Sequence, residues 1–496
     1  MTKREYIIAS AGHGKTEQIT DFVLEFGNNK KVLILTHTNA GIHSLTKRLM
    51  GKHIDQDKYD LHTIDSFCIT YAKAYPKTSG ILEVPKTNED YEKCRNGVLA
   101  VFYMDFLQNF LKNRYSLVIV DEYQDCSESQ HNLILKITEN VDCIILGDPM
   151  QGIFNFGTEK LVTWDNIRNT FSKHPKELLI PHRWGEGREK LGEWLKKTRE
   201  AIINGNEIRF EGDHIHFFRI SEKHEMTRPI FDVLNKCNNV LIIVKDESTD
   251  GNARKYLAQN FHGIIQIIDP MDFKMFYTFL EKLISSNNKE LFENIIFFFK
   301  NCMTRSNHFV DTLTTKVKKI WHKKPESITE LRKKKIMTHG DGFEVRGKKL
   351  NTLYQLILDV IEKTEVQRTK SMILLMENIE KFIKEYKPSE EGYIYRKDIW
   401  NSVKNTLHVY IAKNGEKPLV DYGRHIRQRI SFAGRGFRKV VGTTLLTKGL
   451  EYEHVIIDTS GILDAKHLYV ALSRAKKEIT VFGVDKKIRL ERPLNI

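Results

Sequence analysis

Residues 6–16 of the chain read Tyr-Ile-Ile-Ala-Ser-Ala-Gly-His-Gly-Lys-Thr, a short apolar run followed by a loop of small residues and the start of a helical pattern. Small residues let backbone N–H groups turn toward phosphate oxygens, and the N-terminus of the following helix adds a positive dipole. Lys15 can reach the β- and γ-phosphates of ATP, and the Thr16 hydroxyl can ligate Mg²⁺. The stretch therefore predicts a phosphate-binding loop rather than an ordinary strand-to-helix turn. Its nucleotide-binding residues would be Ala9, Ser10, Ala11, Gly12, His13, Gly14, Lys15 and Thr16.

A second apolar run, Leu117–Val120, ends at two adjacent carboxylates, Asp121 and Glu122. In open α/β sheets, ligands gather at the carboxyl ends of the strands. Asp121 would hold Mg²⁺ directly or through water, and Glu122 would orient and deprotonate the attacking water. A pair of acids at a strand end is common in isolation, but after a phosphate-binding loop it predicts triphosphate hydrolysis.

A third apolar run ends at Gly147 and is followed by Gln151, Phe154 and Phe156. Gln151 could contact the γ-phosphate and report its loss. The two phenylalanines lie two residues apart, as an exposed stacking pair would, and aromatic rings stack on bases of any identity. The alternative is that both rings belong to the core.

Short apolar runs alternate with helical patterns over much of the chain, which predicts α/β layers with strands buried in parallel sheets. The middle, from about Met271 to Tyr410, is instead rich in Lys, Glu, Leu, Ile and Phe at helical spacing, so we expect a mostly helical insertion between two halves of a second α/β domain. The predicted strands are Val32–Leu35, Leu117–Val120, Cys143–Leu146, Val240–Val244, Val455–Ile457 and Ile479–Phe482, and helices are predicted at Glu17–Phe26 and Gly41–Met50.

Composition narrows the class of protein. The 496 residues suggest two to four domains, and the net charge of +14 suggests either a polyanionic partner such as nucleic acid or a basic surface that serves solubility. No signal peptide opens the chain and no apolar stretch is long enough for a bilayer, so we expect a cytoplasmic protein with no membrane partner. The six cysteines form no Cys-x-x-Cys pair, which argues against a zinc ribbon and predicts free, mostly buried thiols.

Two basic tracts, Lys316–Lys335 and Arg424–Lys439, could contact phosphates or could be solvated helix faces. The second tract is the better candidate for DNA, because it runs directly into the motif that begins at Thr443. Neutralising either tract should flatten the salt dependence of DNA binding if it contacts phosphates.

The order of these motifs resembles superfamily 1 helicases of the UvrD/Rep/PcrA type, and the resemblance extends over the whole chain. The stretches that resemble motifs I, Ia, Ib, II, III, IV, V and VI of that family are Ala9–Thr16, Leu35–Asn39, Thr63–Phe67, Asp121–Asp125, Gly147–Phe156, Pro181–Arg183, Thr443–Glu451 and Tyr469–Ala475.

The resemblance implies an α/β fold with two RecA-like parallel-sheet domains and a reduced, mostly helical 2B insertion in the second. It implies that Arg183 and Arg474 act as arginine fingers against the γ-phosphate, that Glu451 holds the ribose, and that movement on single-stranded DNA is 3′-to-5′. The DNA contacts it implies are Thr38, Asn39, Ser66, Phe67, Phe154, Phe156 and Thr443. The domain limits it suggests are 1–175 for domain 1A, with a rudimentary 1B insert at about 68–113, then 176–270 with 420–496 for domain 2A, and 271–419 for the 2B-like insertion.

The chain departs from the family pattern at several positions. Ala9 replaces the first glycine of motif I, Glu17 stands where many relatives have arginine against the base, and Asp65 and Leu445 replace the usual histidines of motifs Ib and V. The short layout is similar to the helicase-like subunits of Gabija anti-phage systems, and a free-standing repair helicase is the other context.

Two functions remain open from the sequence. The first is an ATP-driven translocase that unwinds single-stranded or partly duplex DNA. The second is a nucleotide-gated DNA sensor that activates a partner protein, such as an effector nuclease or ATPase, without unwinding by itself. A metabolic P-loop kinase would not explain arginines at the positions of Arg183 and Arg474.

Overall fold

The computed structural model of the protein describes most of the chain. The described residues are 2–83, 85, 87–153, 160–178, 181–185, 187–244, 252–261, 264–268, 273–303, 344–385, 393–432, 438–459 and 464–493. These residues divide into two compact units, one formed by residues 1–246 with 443–496 and the other by residues 247–442.

The first sheet has six parallel strands in the order β3-β2-β4-β5-β1-β6. Its strands are β1 Arg4–Ile8, β2 Lys31–Thr36, β3 Tyr59–Thr63, β4 Tyr115–Val120, β5 Asp142–Gly147 and β6 Ser172–Lys173. Successive residues of one strand serve opposite faces, since Leu33 and Leu35 belong to one buried cluster and Val32 and Ile34 to the other. The continuous apolar runs thus reflect burial on both faces, as predicted.

Helices cover both faces of this sheet. They are α1 Lys15–Phe26, α2 Asn39–Gly51, α3 Ile64–Ala74, α4 Pro76–Ser79, α5 Asn88–Phe102, α6 Asp105–Arg114, α7 Glu128–Ile137 and α8 Trp164–Thr170. The stretch predicted as a rudimentary 1B insert contains α4, α5 and α6. Cys94, Val98 and Phe102 of α5 share one core cluster with Val118 of β4, so this stretch packs as part of the sheet domain.

The second sheet also has six strands, in the order β10-β11-β9-β12-β13-β8. These strands are β8 Ile215–Arg219, β9 Val240–Ile243, β10 Gln266–Ile267, β11 Lys439–Gly442, β12 Tyr452–Asp458 and β13 Ala475–Gly483, and a separate antiparallel pair is formed by β7 Ile208–Arg209 and β14 Lys487–Ile488. The helices that accompany them are α9 Glu189–Asn204, α10 Thr227–Lys236, α11 Asn252–Asn260, α18 Thr444–Thr447 and α19 Ala465–Leu472. The predicted α/β class with two parallel sheets is confirmed.

The described part of the predicted insertion is helical, with α12 Phe273–Ser285, α13 Asn288–Cys302, α14 Glu344–Glu362, α15 Glu365–Glu385 and α16 Lys397–Ala412. The next helix, α17 Leu419–Phe432, begins at the last residue of the predicted insertion. Arg368 on α15 is 6% exposed and donates to backbone carbonyl oxygens at the C-terminal ends of α12 and α14, among them Leu283 at 3.0 Å and Val360 at 3.1 Å. Helix C-termini leave such carbonyls without partners, so Arg368 fastens three helices together. The predicted domain limits remain a prediction.

None of the described helices has the length and apolar character needed to cross a membrane. All six cysteines are free, and only Cys237 is not fully buried, which confirms the prediction of mostly buried thiols.

Candidate nucleotide-binding and hydrolysis site

The phosphate-binding loop joins β1 to α1 at the carboxyl edge of the first sheet. Ala9 donates its backbone N–H to the Gly147 carbonyl of β5 at 3.0 Å, which holds the start of the loop to the sheet. Gly12 and Gly14 have φ values of 75° and 79°, a left-handed conformation in which a side chain would be strained. Helix α1 begins directly after the loop at Lys15, and no side chain caps its first N–H groups. These amides are therefore free to bind an anion, as the sequence predicts.

The carboxylates of β4 lie beside this loop. Asp121 and Glu122 follow the strand, and the Asp121 N–H donates to the Leu35 carbonyl at 2.9 Å. Burial and repulsion by Glu122 raise the pKa of Asp121, so a cation bound there would displace a proton. Burial by itself would raise the pKa of Glu122, but Lys15 and Lys448 outweigh it and hold that pKa below its usual range. Glu122 is therefore ionised at neutral pH, as a general base must be.

Glu122 also has an unusual backbone conformation, with φ of 54° and ψ of 43°. A non-glycine residue in the left-handed region stores strain that the surrounding structure must support. Gln124 provides that support, because its amide donates to the Glu122 carboxylate and its Oε1 accepts from the Asp148 N–H at 2.9 Å. The segments after β4 and β5 are thus joined through one glutamine side chain.

Gln151 links the first sheet to Arg474. Its Nε2 donates to Asp148 Oδ2 at 3.0 Å, and its Oε1 accepts from the Arg474 guanidinium at 3.1 Å. Arg474 lies just before β13, is 2% exposed, and also donates to the Val470 carbonyl at 2.9 Å. Burial and nearby Arg183 lower the pKa of Arg474 to about 10, so it stays charged at neutral pH. The arginine predicted as a finger therefore contacts the glutamine predicted as a γ-phosphate contact.

Arg183 contacts the phosphate-binding loop directly. Its backbone N–H donates to the Gly12 carbonyl at 3.2 Å, and a Cβ added to Gly12 would lie 2.9 Å from the Arg183 Cβ. Its guanidinium donates to the Ser473 carbonyl and to the Glu451 carboxylate, each at 2.5 Å. The Nε of Arg183 is buried and has no hydrogen-bond partner among the described residues. One donor of this arginine is therefore left over for a further acceptor.

Glu451, which the resemblance assigns to the ribose, is paired here with two cations. Arg183 lies 2.5 Å away and Lys476 lies 2.9 Å away. Burial would raise the pKa of Glu451, but Arg183 and Lys476 lower it to about 2. Its role toward a nucleotide remains a prediction.

A buried ion pair that the sequence reading did not single out joins motifs II and V. Lys448 Nζ lies 2.5 Å and 2.6 Å from the two carboxylate oxygens of Asp125 and donates to the Gln151 carbonyl at 2.5 Å. The two side chains are 6% and 4% exposed. Asp125 lies in the stretch that resembles motif II and Lys448 in the stretch that resembles motif V. These motif positions were the only sequence feature from which the ion pair could have been predicted.

The side chains expected to contact DNA do not share one environment. Thr38 caps α2 by accepting from the Gly41 N–H at 3.0 Å and is exposed together with Asn39. Ser66 is exposed in the first turn of α3. These three residues are exposed to solvent at the carboxyl ends of β2 and β3, where a strand of DNA could contact them.

Two of the expected DNA contacts differ from the prediction. Phe67 is 3% exposed, and its ring lies 4.9 Å from Tyr71 and 6.0 Å from Phe102, so it belongs to the core and cannot stack on a base in this arrangement. Thr443 is fully buried, and its Oγ1 has no hydrogen-bond partner among the described residues. Burial removes both side chains from a DNA-facing surface.

Other predicted contacts fall outside the described residues. Phe154 and Phe156 do so, as does the whole of the tract Lys316–Lys335. Of the second tract, Arg424 is described, and it pairs with Asp421 at 2.5 Å on an exposed helix face.

The residues present fit a nucleoside triphosphate with Mg²⁺. The loop offers uncapped amides and Lys15, and the donor set beside it is a hydroxyl, Thr16, and a carboxylate, Asp121, which are the oxygen ligands that Mg²⁺ takes. Among the described residues no group of three or more His, Cys, Asp or Glu side chains is arranged to hold a metal ion.

Comparisons with known proteins agree with part of this picture. Residues 1–157 match the family model of an AAA domain. No curated protein matches the chain. A solved structure of the Pif1 helicase from Bacteroides in complex with ADP-AlF3 and ssDNA is similar with a TM-score of 0.27 and 11% identity, over 51% of this chain and 53% of that chain. This chain thus covers about half of the length of that helicase. The residues that match the AAA domain model contain the whole phosphate-binding loop and strands β1 to β5 of the first sheet.

Proposed function

We propose that the protein is an ATP-hydrolysing motor that moves along single-stranded DNA, of the UvrD-like superfamily 1 type. The observation that carries the proposal is that one arginine contacts the phosphate-binding loop and a second contacts the glutamine that follows β5. Arg183 touches Gly12, and Arg474 touches Gln151. Both arginines are associated with the segments that lead into the second sheet, since Ser473 and Glu451 are their neighbours there.

The chemistry follows from the charges around this point. Hydrolysis spreads negative charge over the oxygens of the γ-phosphate, and fixed guanidinium groups stabilise that charge without reorganisation. Glu122 would deprotonate the attacking water, while Lys15, Thr16 and Asp121 would hold the triphosphate and Mg²⁺. Because Arg474 directly precedes β13 of the second sheet while the loop follows β1 of the first, filling and emptying the site would move one sheet against the other. The +14 net charge supports a polyanionic track.

A second function, a nucleotide-gated DNA sensor that activates an effector, has two observations in its favour. Helices α4 to α6 stand where larger relatives carry a separate 1B domain, and here α5 and α6 share the core of the sheet. Asp65, which replaces the usual histidine of motif Ib, pairs with the buried Arg95 at 2.9 Å. Both features favour reduced handling of duplex DNA, in a repair or an anti-phage setting. Polarity, 3′-to-5′ by resemblance, belongs to the first function.

The test is ATP turnover with and without single-stranded DNA, for the wild type and for Lys15→Ala and Glu122→Gln, together with strand displacement on a partly duplex substrate. Glu128→Gln is the matched control, because Glu128 is an exposed carboxylate in the first turn of α7. We expect DNA to stimulate ATP turnover in the wild type and in the control variant. Both site variants should lose ATP turnover. Stimulation with strand displacement supports the motor, and stimulation without displacement supports the sensor. The proposal would be overturned if single-stranded DNA did not change the rate of ATP turnover, or if the Glu122→Gln variant were as active as the control.

A further inference from the structure

A buried polar chain runs from the phosphate-binding loop to Arg474 through a residue that lies in no recognised motif. That residue is Arg199, on α9. We propose that Arg199 is a positioning residue that couples the phosphate-binding loop to the orientation of Gln151 and Arg474. The inference rests on the proposed function, because it assigns a role within ATP hydrolysis.

The first step of the chain leaves the loop. The Ala11 N–H donates to the Tyr469 hydroxyl at 3.2 Å, and this contact is buried. Tyr469 lies on α19 and is 3% exposed. A hydroxyl fixed on one helix thus holds the first half of the loop that binds phosphates, so a shift of the loop must displace Tyr469 or break this bond.

The second step passes through Arg199. Its guanidinium carbon lies 5.8 Å from the centre of the Tyr469 ring, and its side chain also hydrogen bonds to Tyr469. Its Nη2 donates to Asp148 Oδ1 at 3.1 Å. Burial alone would lower the pKa of Arg199, but Asp148 and Tyr469 raise it, so the side chain is charged. Arg199 is therefore the one side chain in this path that touches both Tyr469 and Asp148.

The third step ends at the hydrolysis site. Asp148 is fully buried, and its other oxygen, Oδ2, accepts from Gln151 Nε2 at 3.0 Å. Gln151 Oε1 in turn accepts from Arg474 at 3.1 Å. The orientation of the Gln151 amide is set by these two contacts, so a change in Asp148 reaches Arg474 through a single side chain.

Arg199 is suited to change partners. Its Nε is buried without a hydrogen-bond partner among the described residues, and its side chain is 18% exposed, more than the Asp148 it neutralises. It also borders a cavity of about 300 Å³ that reaches Ser10 and Ala11 of the loop. An incompletely satisfied cation beside open space has somewhere to move when the loop shifts. A purely structural ion pair would gain most by satisfying every donor.

The experiment measures basal ATP turnover and thermal unfolding of the full chain with Mg²⁺-ATP. The variants are Arg199→Met and, as a matched control, Lys197→Met, which removes an exposed cation from the same helix. Because a small displacement of catalytic groups costs up to about 100-fold in rate, we expect Arg199→Met to lower kcat by about 10- to 100-fold and to change KM for ATP by less than about 3-fold. Tyr469→Phe, which keeps the ring and loses the hydroxyl, should lower kcat in the same direction by a smaller factor.

A double variant, Arg199→Met with Asp148→Asn, separates positioning from folding. Asparagine removes the buried charge left unpaired by Arg199→Met, but its one oxygen can accept from either the Gln151 amide or the Met150 N–H, so the melting temperature should recover part of the way toward that of the wild type. We expect kcat to stay low, because the link to Tyr469 is still missing. Recovery of kcat together with stability would overturn the inference, as would an Arg199→Met variant equal to Lys197→Met. The motor itself is judged separately, by DNA stimulation of the wild type.

Discussion

Two deeply buried arginines, one in each compact unit, differ in the acceptors that their guanidinium groups contact. Arg368 makes five hydrogen bonds within the described residues, all to backbone carbonyls at or beside the ends of α12 and α14. Arg474 divides its donors between backbone carbonyls and two side chains, Gln151 and Ser473. Backbone carbonyls are fixed once the helices have formed, whereas the Gln151 amide can rotate. Burial alone therefore does not separate Arg368 from Arg474, whereas the nature of their acceptors does, and we expect the arginine with side-chain acceptors to be the functional one.

Arg474→Lys should have the largest effect, and the property that it lowers should be the rate of ATP turnover. Lysine keeps the charge but has no planar fork that reaches Gln151 and the backbone together. Loss of an arginine finger lowers turnover by about 10⁴-fold, which corresponds to about 5 kcal/mol in the activation barrier. The measurement is kcat in saturating ATP and DNA. Equal turnover in variant and wild type would remove Arg474 from the hydrolysis site.

Arg368→Met should instead lower the stability of the protein. It leaves the carbonyls of Leu283, Val360 and their neighbours buried without a donor, which costs about 4 kcal/mol in the free energy of unfolding. Urea unfolding followed by circular dichroism measures this loss. Turnover per folded molecule should be unchanged, and a fall in kcat at full folding would contradict the contrast with Arg474.

Lys448→Met should have an effect smaller than those of Arg474→Lys and Arg368→Met, and it tests the buried ion pair with Asp125. The variant leaves Asp125 buried without its cation, so we expect a loss of about 3 kcal/mol in the free energy of unfolding. Burial raises the pKa of Asp125 to about 6, and removal of Lys448, which opposes that rise, should raise it further. Adding Asp125→Asn should restore most of the lost stability, as measured by thermal unfolding. A double variant no more stable than Lys448→Met would argue against the ion pair as the cause.

Glu451→Gln should have the smallest effect, visible as a change in pH dependence. The folded-state pKa of Glu451 lies near 2, below its ordinary value, so its ion pair stabilises the protein above about pH 4.5 and this stabilisation is lost as the pH falls toward 2. Because the side chain is 37% exposed, solvent screening reduces the contribution to about 1 kcal/mol. Unfolding measured from pH 5 to pH 2 should therefore be less steep in the variant. Asp421→Asn, which breaks an exposed pair with Arg424, is the control and should leave that slope unchanged.

The sequence predicts the two sheets well because their central strands are continuous apolar runs. Each predicted strand coincides with an observed one to within a residue or lies inside a longer one. The start of β13 was missed since Lys476 and Lys477 are polar and exposed, and they are held by Glu451 and Glu453 rather than by the core. Two-residue strands such as β6 and β10 have no pattern to detect.

The site divides in the same way. The phosphate-binding loop is contiguous, so its residues could be predicted from local spacing alone. Arg199 could not, because α9 is an ordinary amphipathic helix and the contacts to Asp148 and Tyr469 arise from tertiary packing. Phe67 could have been assigned to the core, since Ile64, Phe67 and Cys68 follow the helical spacing of a buried face.

The stretch that contains α4 to α6 packs against the sheet core, and this packing determines where a label or a peptide can be inserted. The connection after α4 carries Leu82, 89% exposed, while Ile81 just before it packs against the core. A reporter group or peptide spliced in directly after Leu82 would project into solvent, as tolerated insertions at loop tips do. Excision of the whole stretch would instead strip the cover from one face of β4, and the shortened chain would aggregate rather than fold.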